Sequence, residues 1–329
     1  MKREEITIVE ERKVEILTKE VDFKELGNTM VEGKTLYSLI SVGTEIMGFY
    51  LHGFEYPYPM VSGYAAVFQV ERVGSDVVGI QPGDVVFSRG SHVSYQIHDY
   101  REVVKIPEGV DPEKALFARM ANVSMRSFKC VKSNPGAKAI VVGLGVVGTM
   151  AIQAYYNCGY QVIGIEPNPE RAKTVKKITG FEVYTELPEE LNGTFSLALE
   201  CSGYQQGINT CLDALRIGGE LCIVGIPWKK TSDQSAYDMV TKIVYKWLDV
   251  YSGWESDLPL RERELGMWEQ GAVDPFTQVS NYTLALRWLQ DGVLKVEGMY
   301  DVRPYTEIKD IYDSYYRKTA KTLTTVLKW

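Results

Sequence analysis

Residues 138–158 read KAIVVGLGVVGTMAIQAYYNC, and this stretch decides the fold. An apolar run, KAIVV, has the length and β-branched content of a buried strand. A G-x-G-x-x-G pattern follows at Gly143, Gly145 and Gly148, and the residues after it have helical composition. Each glycine has a mechanical task. The first permits a tight turn, the second lets a pyrophosphate approach the backbone, and the third lets helix and strand pack closely. Gly145, Val146, Val147 and Gly148 then open a helix whose free N–H groups and dipole favour an anion.

The neighbouring segments repeat the strand–helix rhythm. QVIGIE (161–166) predicts a second strand, NPERAKTVKKIT (168–179) a helix, FSLALEC (195–201) a strand, YQQGINTCLDAL (204–215) a helix and GELCIVG (219–225) a strand. Such alternation gives an α/β fold, a doubly wound parallel sheet of Rossmann type. The second strand ends in Glu166, 18 residues beyond Gly148, where an acid accepts the ribose hydroxyls of NAD and repels the extra phosphate of NADP. Arg171, one turn further, is the residue through which NADP could bind instead. Sheets of this kind hold ligands outside the carboxyl ends of their strands. Cys201, Ser202 and Gly203 in ECSG, with Gly225 and Ile226 in VGIP, are therefore expected to face the ribose and nicotinamide.

The first third has a different texture. KTLYSLISVG, AAVFQVERVG and DVVFSRG are strand-like, QPGD at 81–84 is a turn, and residues 111–131 change to helical spacing. The chain of 329 residues is thus expected to hold a β-rich domain over 1–121, a nucleotide domain over 122–284, and a return to the first domain over 285–329. The polar stretch ESDLPLRERELGMWEQG carries no readable pattern. A net charge of −7 argues against a nucleic-acid partner, which needs clustered Lys and Arg. No apolar run is long enough to span a bilayer, and the charged start, MKREEITIVEERKVE, lacks the core of a signal peptide, so a cytoplasmic location is expected. The 5 cysteines form no C-x-x-C pair, which speaks against a disulfide framework or a structural zinc cage.

Taken together, these segments resemble the medium-chain dehydrogenase/reductase superfamily of alcohol dehydrogenase type. The resemblance runs nearly end to end: a GroES-like β-rich part with Gly74 and QPGDVV, the nucleotide fold, and LQDGVLKV followed by YTEIKDIYDSYY as the tail. YSLISVGTE and SGY look most like a zinc-free subgroup that includes bacteriochlorophyllide dehydrogenases and relatives from carbohydrate gene clusters. In zinc-using members three donors hold a catalytic zinc, and the matching positions here are Val42, Tyr64 and Arg119, which make no zinc site. No zinc is therefore expected. The resemblance implies that Thr44 relays a proton from the substrate oxygen. Met47 stands at the relay-histidine position, with His52 nearby as its substitute.

Without a metal, hydrogen-bond donors must manage charge on the substrate oxygen. Tyr64 offers a phenol whose ordinary pKa near 10 must fall for it to act as a base. Arg119 supplies a fixed positive charge, and Glu45 is expected to orient Thr44 or Arg119. The dense aromatics Phe49, Tyr50, Phe54, Tyr56 and Tyr58 are expected either to pack as ordinary core, the default for a chain so rich in Tyr, or to line a pocket for a small-molecule ring substrate. The expected reaction is NAD-linked hydride transfer on a secondary alcohol or ketone. Reduction of an activated C=C bond, or dinucleotide binding without turnover, are the alternatives. Members of the family often pair through the last strand of the nucleotide sheet, here LDVYSG, so a homodimer is expected.

Overall fold

The computed structural model describes residues 2–21, 25–51, 57–228, 230, 233, 235–261 and 276–329. The chain forms two compact units. The first comprises Met1–Arg119, Leu260–Gln290 and Met299–Trp329, and the second Met120–Pro259 with Asp291–Gly298. The sequence predicts boundaries at 121 and 284; among the described residues 260–261 and 276–284 pack with the first unit, and Asp291–Gly298 with the second. Of the unreadable stretch at 255–271, Glu255–Asp257 forms one short helical turn, and residues beyond 261 lie outside the described residues.

The second unit is built on a six-stranded sheet. Its order is Val183–Tyr184, Gln161–Ile165, Lys138–Val142, Phe195–Glu200, Leu215–Ile223 and Asp249–Ser252. Every neighbouring pair is parallel. The strands read as continuous apolar runs because both faces are covered: Ile140, Val141, Leu197, Ala198 and Leu199 are all fully buried. The direction of winding reverses between Lys138–Val142 and Phe195–Glu200, which opens a crevice at their carboxyl ends. Both strands lead directly into the expected loops, the first at Gly143 and the second at Cys201.

The first unit is β-rich. Strand Met30–Leu39 lies at its centre, antiparallel to Ala66–Val73, Tyr95–Asp99 and the C-terminal strand Thr324–Lys328. The hairpin Lys2–Glu10/Lys13–Glu20 and Met60–Val61 make a separate three-stranded sheet. A core of Ile6, Ile8, Ile40, Ile46, Ile308, Ile311 and Leu327 draws both ends of the chain together. Among the described residues no helix is long and apolar enough to cross a membrane.

Candidate functional site

In the second unit, Gly143 ends its strand at φ +88°, and a Cβ there would lie 2.6 Å from the Ser202 side chain. The glycine loop and the ECSG loop therefore touch at the crevice. A Cβ on Gly148 would lie 1.9 Å from the Gly143 carbonyl oxygen, so helix Val146–Asn157 packs on the loop only if residue 148 has no side chain. Gly145, at the N-cap, meets nothing within 4 Å and caps no N–H with a side chain. The result is an open cradle of backbone N–H groups at a helix N-terminus, which fits a pyrophosphate.

Glu166 stands at the expected strand end, with both oxygens already engaged. Oε2 accepts from Leu144 N at 3.0 Å, Oε1 accepts from Asn168 N at 2.9 Å, and Arg171 Nε lies 3.4 Å from Oε1. Each carboxylate oxygen keeps a further acceptor position for a ribose hydroxyl. Glu200 is a residue that the sequence reading used only as a strand end. Fully buried, it accepts from Ser202 N at 2.8 Å and Gly203 N at 3.2 Å, and so shapes the ECSG loop. Burial pushes its carboxyl above the ordinary value. A Cβ on Gly225 would meet Glu200 Oε2 at 2.7 Å, which places VGIP against the same carboxylate. Burial pushes the Cys201 thiol well above its ordinary value, so it is no nucleophile at neutral pH.

In the first unit, Ser41 caps a π-helical segment, Val42–Tyr50, a geometry that recurs at functional sites. The Tyr64 hydroxyl donates to Ser41 Oγ at 2.5 Å and lies 3.3 Å from Thr44 Oγ1. Arg119, only 3% exposed, holds its guanidinium carbon 4.3 Å from the centre of the Tyr64 ring. Thr44, Tyr64 and Arg119 are thus brought together, while Val42 packs against the apolar core. A phenol, a guanidinium and an isopropyl group do not fit catalytic zinc. Among the described residues no group of three His, Cys, Asp or Glu could hold a metal ion.

Glu45 lies behind this cluster, wholly buried. Its Oε1 accepts from Ser41 N at 2.7 Å; its Oε2 receives Tyr312 OH at 2.6 Å and faces His92 Nε2 at 2.9 Å. The expectation that Glu45 orients Thr44 directly is replaced by an indirect route, through the residue that caps the helix. His92 Nδ1 in turn faces Ser38 Oγ at 2.8 Å, and Ser38 accepts from Trp329 Nε1 at 2.8 Å. Trp329 has only an N–H to give, so the network is satisfied with Ser38 donating to Nδ1 and His92 Nε2–H donating to Glu45. Burial first, and the Glu45 charge second, push the Tyr312 phenol well above its ordinary value, which keeps it a donor. Gly63 has φ +88°, and a Cβ there would strike the His92 ring at 2.6 Å. The glycine before Tyr64 thus seats the histidine.

His92, Tyr312, Ser41 and Ser38 are the members that sequence reasoning missed. The chain neighbours of His92 give no hint of Glu45. His52, Phe54 and Tyr56 lie outside the described residues. The described aromatics of that loop pack inward: Phe49, Tyr50 and Tyr58 join the apolar core, with Tyr50 edge-on to Tyr312 at 5.2 Å. Of the two expectations, core packing holds for these three.

Residues 146–263 match the family model described as zinc-binding dehydrogenase. (R,R)-butanediol dehydrogenase of Bacillus subtilis (strain 168) is 25% identical over 162 residues, 46% of this chain and 46% of that enzyme, so the match spans about half the length of this curated relative. L-idonate 5-dehydrogenase of Escherichia coli K-12 superposes with a TM-score of 0.81 at 16% identity, covering 100% of this chain and 99% of that one. The fold is shared end to end with this dehydrogenase. A further neighbour with this fold, from Sinorhizobium meliloti 1021 and described as a zinc-binding dehydrogenase bound to NADP, has a TM-score of 0.77 at 15% identity and covers 100% of both chains. The second unit carries the glycine cradle at its sheet switch point, and the first carries the phenol–guanidinium pair of Tyr64 and Arg119.

Proposed function

We propose that this chain is an NAD(H)-linked oxidoreductase that interconverts a secondary alcohol and a ketone without zinc, on a sugar, cyclitol or larger ring. The observation that carries this reading is the meeting of Thr44, Ser41, Tyr64 and Arg119 in one hydroxyl–guanidinium cluster, in a chain that also has a glycine cradle suited to a dinucleotide. Relatives named as butanediol and idonate dehydrogenases support an alcohol substrate.

When bound, the nicotinamide supplies the hydride acceptor or donor. Gly143, Gly145, Val146, Val147 and Gly148 would hold the pyrophosphate of the dinucleotide and Glu166 its adenosine ribose, and Cys201, Ser202, Gly203, Gly225 and Ile226 would border the nicotinamide end. Thr44 Oγ1 touches the substrate oxygen and takes its proton on oxidation. Tyr64, 3.3 Å further along and held by Ser41 Oγ, acts as the base: as a phenolate it takes the proton that Thr44 gives up; such contacts tighten when substrate is present. Arg119, stacked on the Tyr64 ring, offsets negative charge that develops on the phenol or the substrate oxygen. Glu166 favours NAD over NADP, and Arg171 is the route by which NADP enters.

The test is a panel of secondary alcohols and cyclic ketones with NADH and NADPH, run with and without a strong chelator. Turnover should favour NADH and survive chelation. Tyr64→Phe should lower kcat by about 10²–10³ with little change in KM, the range for a lost proton-transfer group. One zinc per chain in a metal assay, or a wild-type rate from Tyr64→Phe, would overturn the mechanism.

The proposed assembly is a homodimer. Among the described residues strand Asp249–Ser252 is an open sheet edge, and Tyr237, Val240, Val244, Tyr245, Trp247 and Trp254, in the segments just before and after it, are exposed. So much apolar surface beside an unpaired edge favours a partner. Light scattering should return twice the chain mass of 37.1 kDa, and Val244→Asp should shift the protein toward the single-chain mass. A wild-type monomer at micromolar concentration would rule the dimer out.

A further inference from the structure

Glu200 ends strand Phe195–Glu200 and is wholly buried, so it cannot itself meet a ligand. Its carboxylate contacts come from donors. Oε1 accepts from Ser202 N at 2.8 Å and from the Ser202 hydroxyl, and Oε2 accepts from Gly203 N at 3.2 Å. Two glycines leave room for it. A Cβ on Gly207, in helix Gln205–Ala214, would lie 2.5 Å from Oε1 and 2.4 Å from Ser202 Oγ. A Cβ on Gly225 would lie 2.7 Å from Oε2 and 2.2 Å from Gly203 N. The carboxylate thus fills a slot between the ECSG loop, VGIP and the helix that follows ECSG.

The ECSG loop is itself wedged between its neighbours. The Ser202 side chain stands 2.6 Å from the Cβ that Gly143 lacks, and a Cβ on Gly203 would meet the Ile226 carbonyl oxygen at 2.4 Å. The Glu200 carbonyl oxygen accepts from Val224 N and Gly225 N, both at 2.8 Å. One buried residue therefore sets the spacing of the glycine loop, ECSG and VGIP.

We propose that Glu200 is a positioning residue for the nicotinamide end of the dinucleotide, acting through Ser202 and Gly203 without touching the cofactor. The inference rests on the dinucleotide reading above and adds to it a residue buried beneath the site. Its physical basis is directional. The N–H groups of Ser202 and Gly203 need acceptors, and the two oxygens of one carboxylate serve both. A carboxamide has a single oxygen, so Glu200→Gln turns an NH2 group toward one of these donors and leaves it without an acceptor. The loop must then turn, which lifts Ser202 off Gly143 or Gly203 off Ile226. The adenosine end is held by Glu166, which has no part in these contacts.

The test measures NADH and ADP-ribose binding to the wild type, Glu200→Gln and Gly207→Ala by calorimetry, each below its melting temperature. The emission of bound NADH is recorded alongside. ADP-ribose carries the adenosine and pyrophosphate of the dinucleotide but no nicotinamide. Glu200→Gln should bind NADH about tenfold more weakly and ADP-ribose less than about threefold more weakly. The emission of its bound NADH should move toward that of free NADH, because the ring is no longer held. Gly207→Ala presses on the carboxylate from the helix and should give the same split; if only one variant folds, that one decides. Equal weakening of both ligands, or wild-type NADH affinity and emission, overturns the inference. A wild type that binds neither ligand overturns the dinucleotide reading, and this inference with it.

Discussion

Gly148→Ala will bind NADH at least about 100-fold more weakly than the wild type and will melt at a lower temperature. The added Cβ must sit where the Gly143 carbonyl oxygen now lies 1.9 Å away, and a backbone atom cannot swing aside as a side-chain tip can. Overpacking of this kind costs about 1–3 kcal/mol, and the helix must move off the loop to relieve it. That movement also displaces the N–H groups that receive the pyrophosphate. Gly145→Ala separates the two effects. Residue 145 has an ordinary φ of −67° and open space around it, so alanine fits the fold. Its methyl group instead occupies the approach of the phosphates. The expected pattern is weak binding with a normal melting temperature for Gly145→Ala, and loss of both for Gly148→Ala. Fluorescence titration of NADH and a thermal melt on each variant decide it; a Gly148→Ala protein that binds and melts like the wild type would refute the cradle.

The nucleotide unit was legible because its signals are local. The glycine spacing, the apolar strands and the acid at Glu166 all lie within one βαβ stretch, and the sheet order confirms the crossovers they imply. What lay hidden there was the state of the carboxylates. No pattern in the sequence says that Glu166 turns back to the glycine loop, or that Glu200 is buried beneath ECSG. In the β-rich unit Thr44 and Tyr64 were legible only through the family resemblance, because 20 residues separate them. The support beneath them is longer in range still. His92 stands 47 residues from Glu45 and Tyr312 stands 267 residues away, so neither strand alternation nor helical spacing can pair them. Gly63 offered a signal in retrospect. A glycine held at positive φ before the tyrosine marks a close approach by something bulky, which proves to be the His92 ring.

Glu45→Ala should be the most damaging single change in the β-rich unit. The Glu45–His92 pair is fully buried, and the carboxylate also takes the Ser41 N–H and the Tyr312 hydroxyl. Alanine leaves the Ser41 N–H and the His92 Nε2–H without their acceptor, and Tyr312 with only Ser62 Oγ at 3.2 Å. Each buried donor left unsatisfied costs about 1–3 kcal/mol, and the two together take a large part of the roughly 5–15 kcal/mol that holds a typical domain folded. The corresponding fall in melting temperature is about 10 °C for a unit of this size. Glu45→Gln keeps the volume but turns one acceptor into a donor, so it should cost about 1–3 kcal/mol through one unsatisfied contact. Ser41 loses its anchor in both variants, and the hydroxyls of Thr44 and Tyr64 lose their register, so alcohol turnover should fall with stability. NADH binding should persist at temperatures below the melt, because the glycine cradle belongs to the other unit. Calorimetry beside NADH titration separates the outcomes. If Glu45→Ala melts within a degree or two of the wild type, the buried carboxylate does not hold the hydroxyl cluster in place.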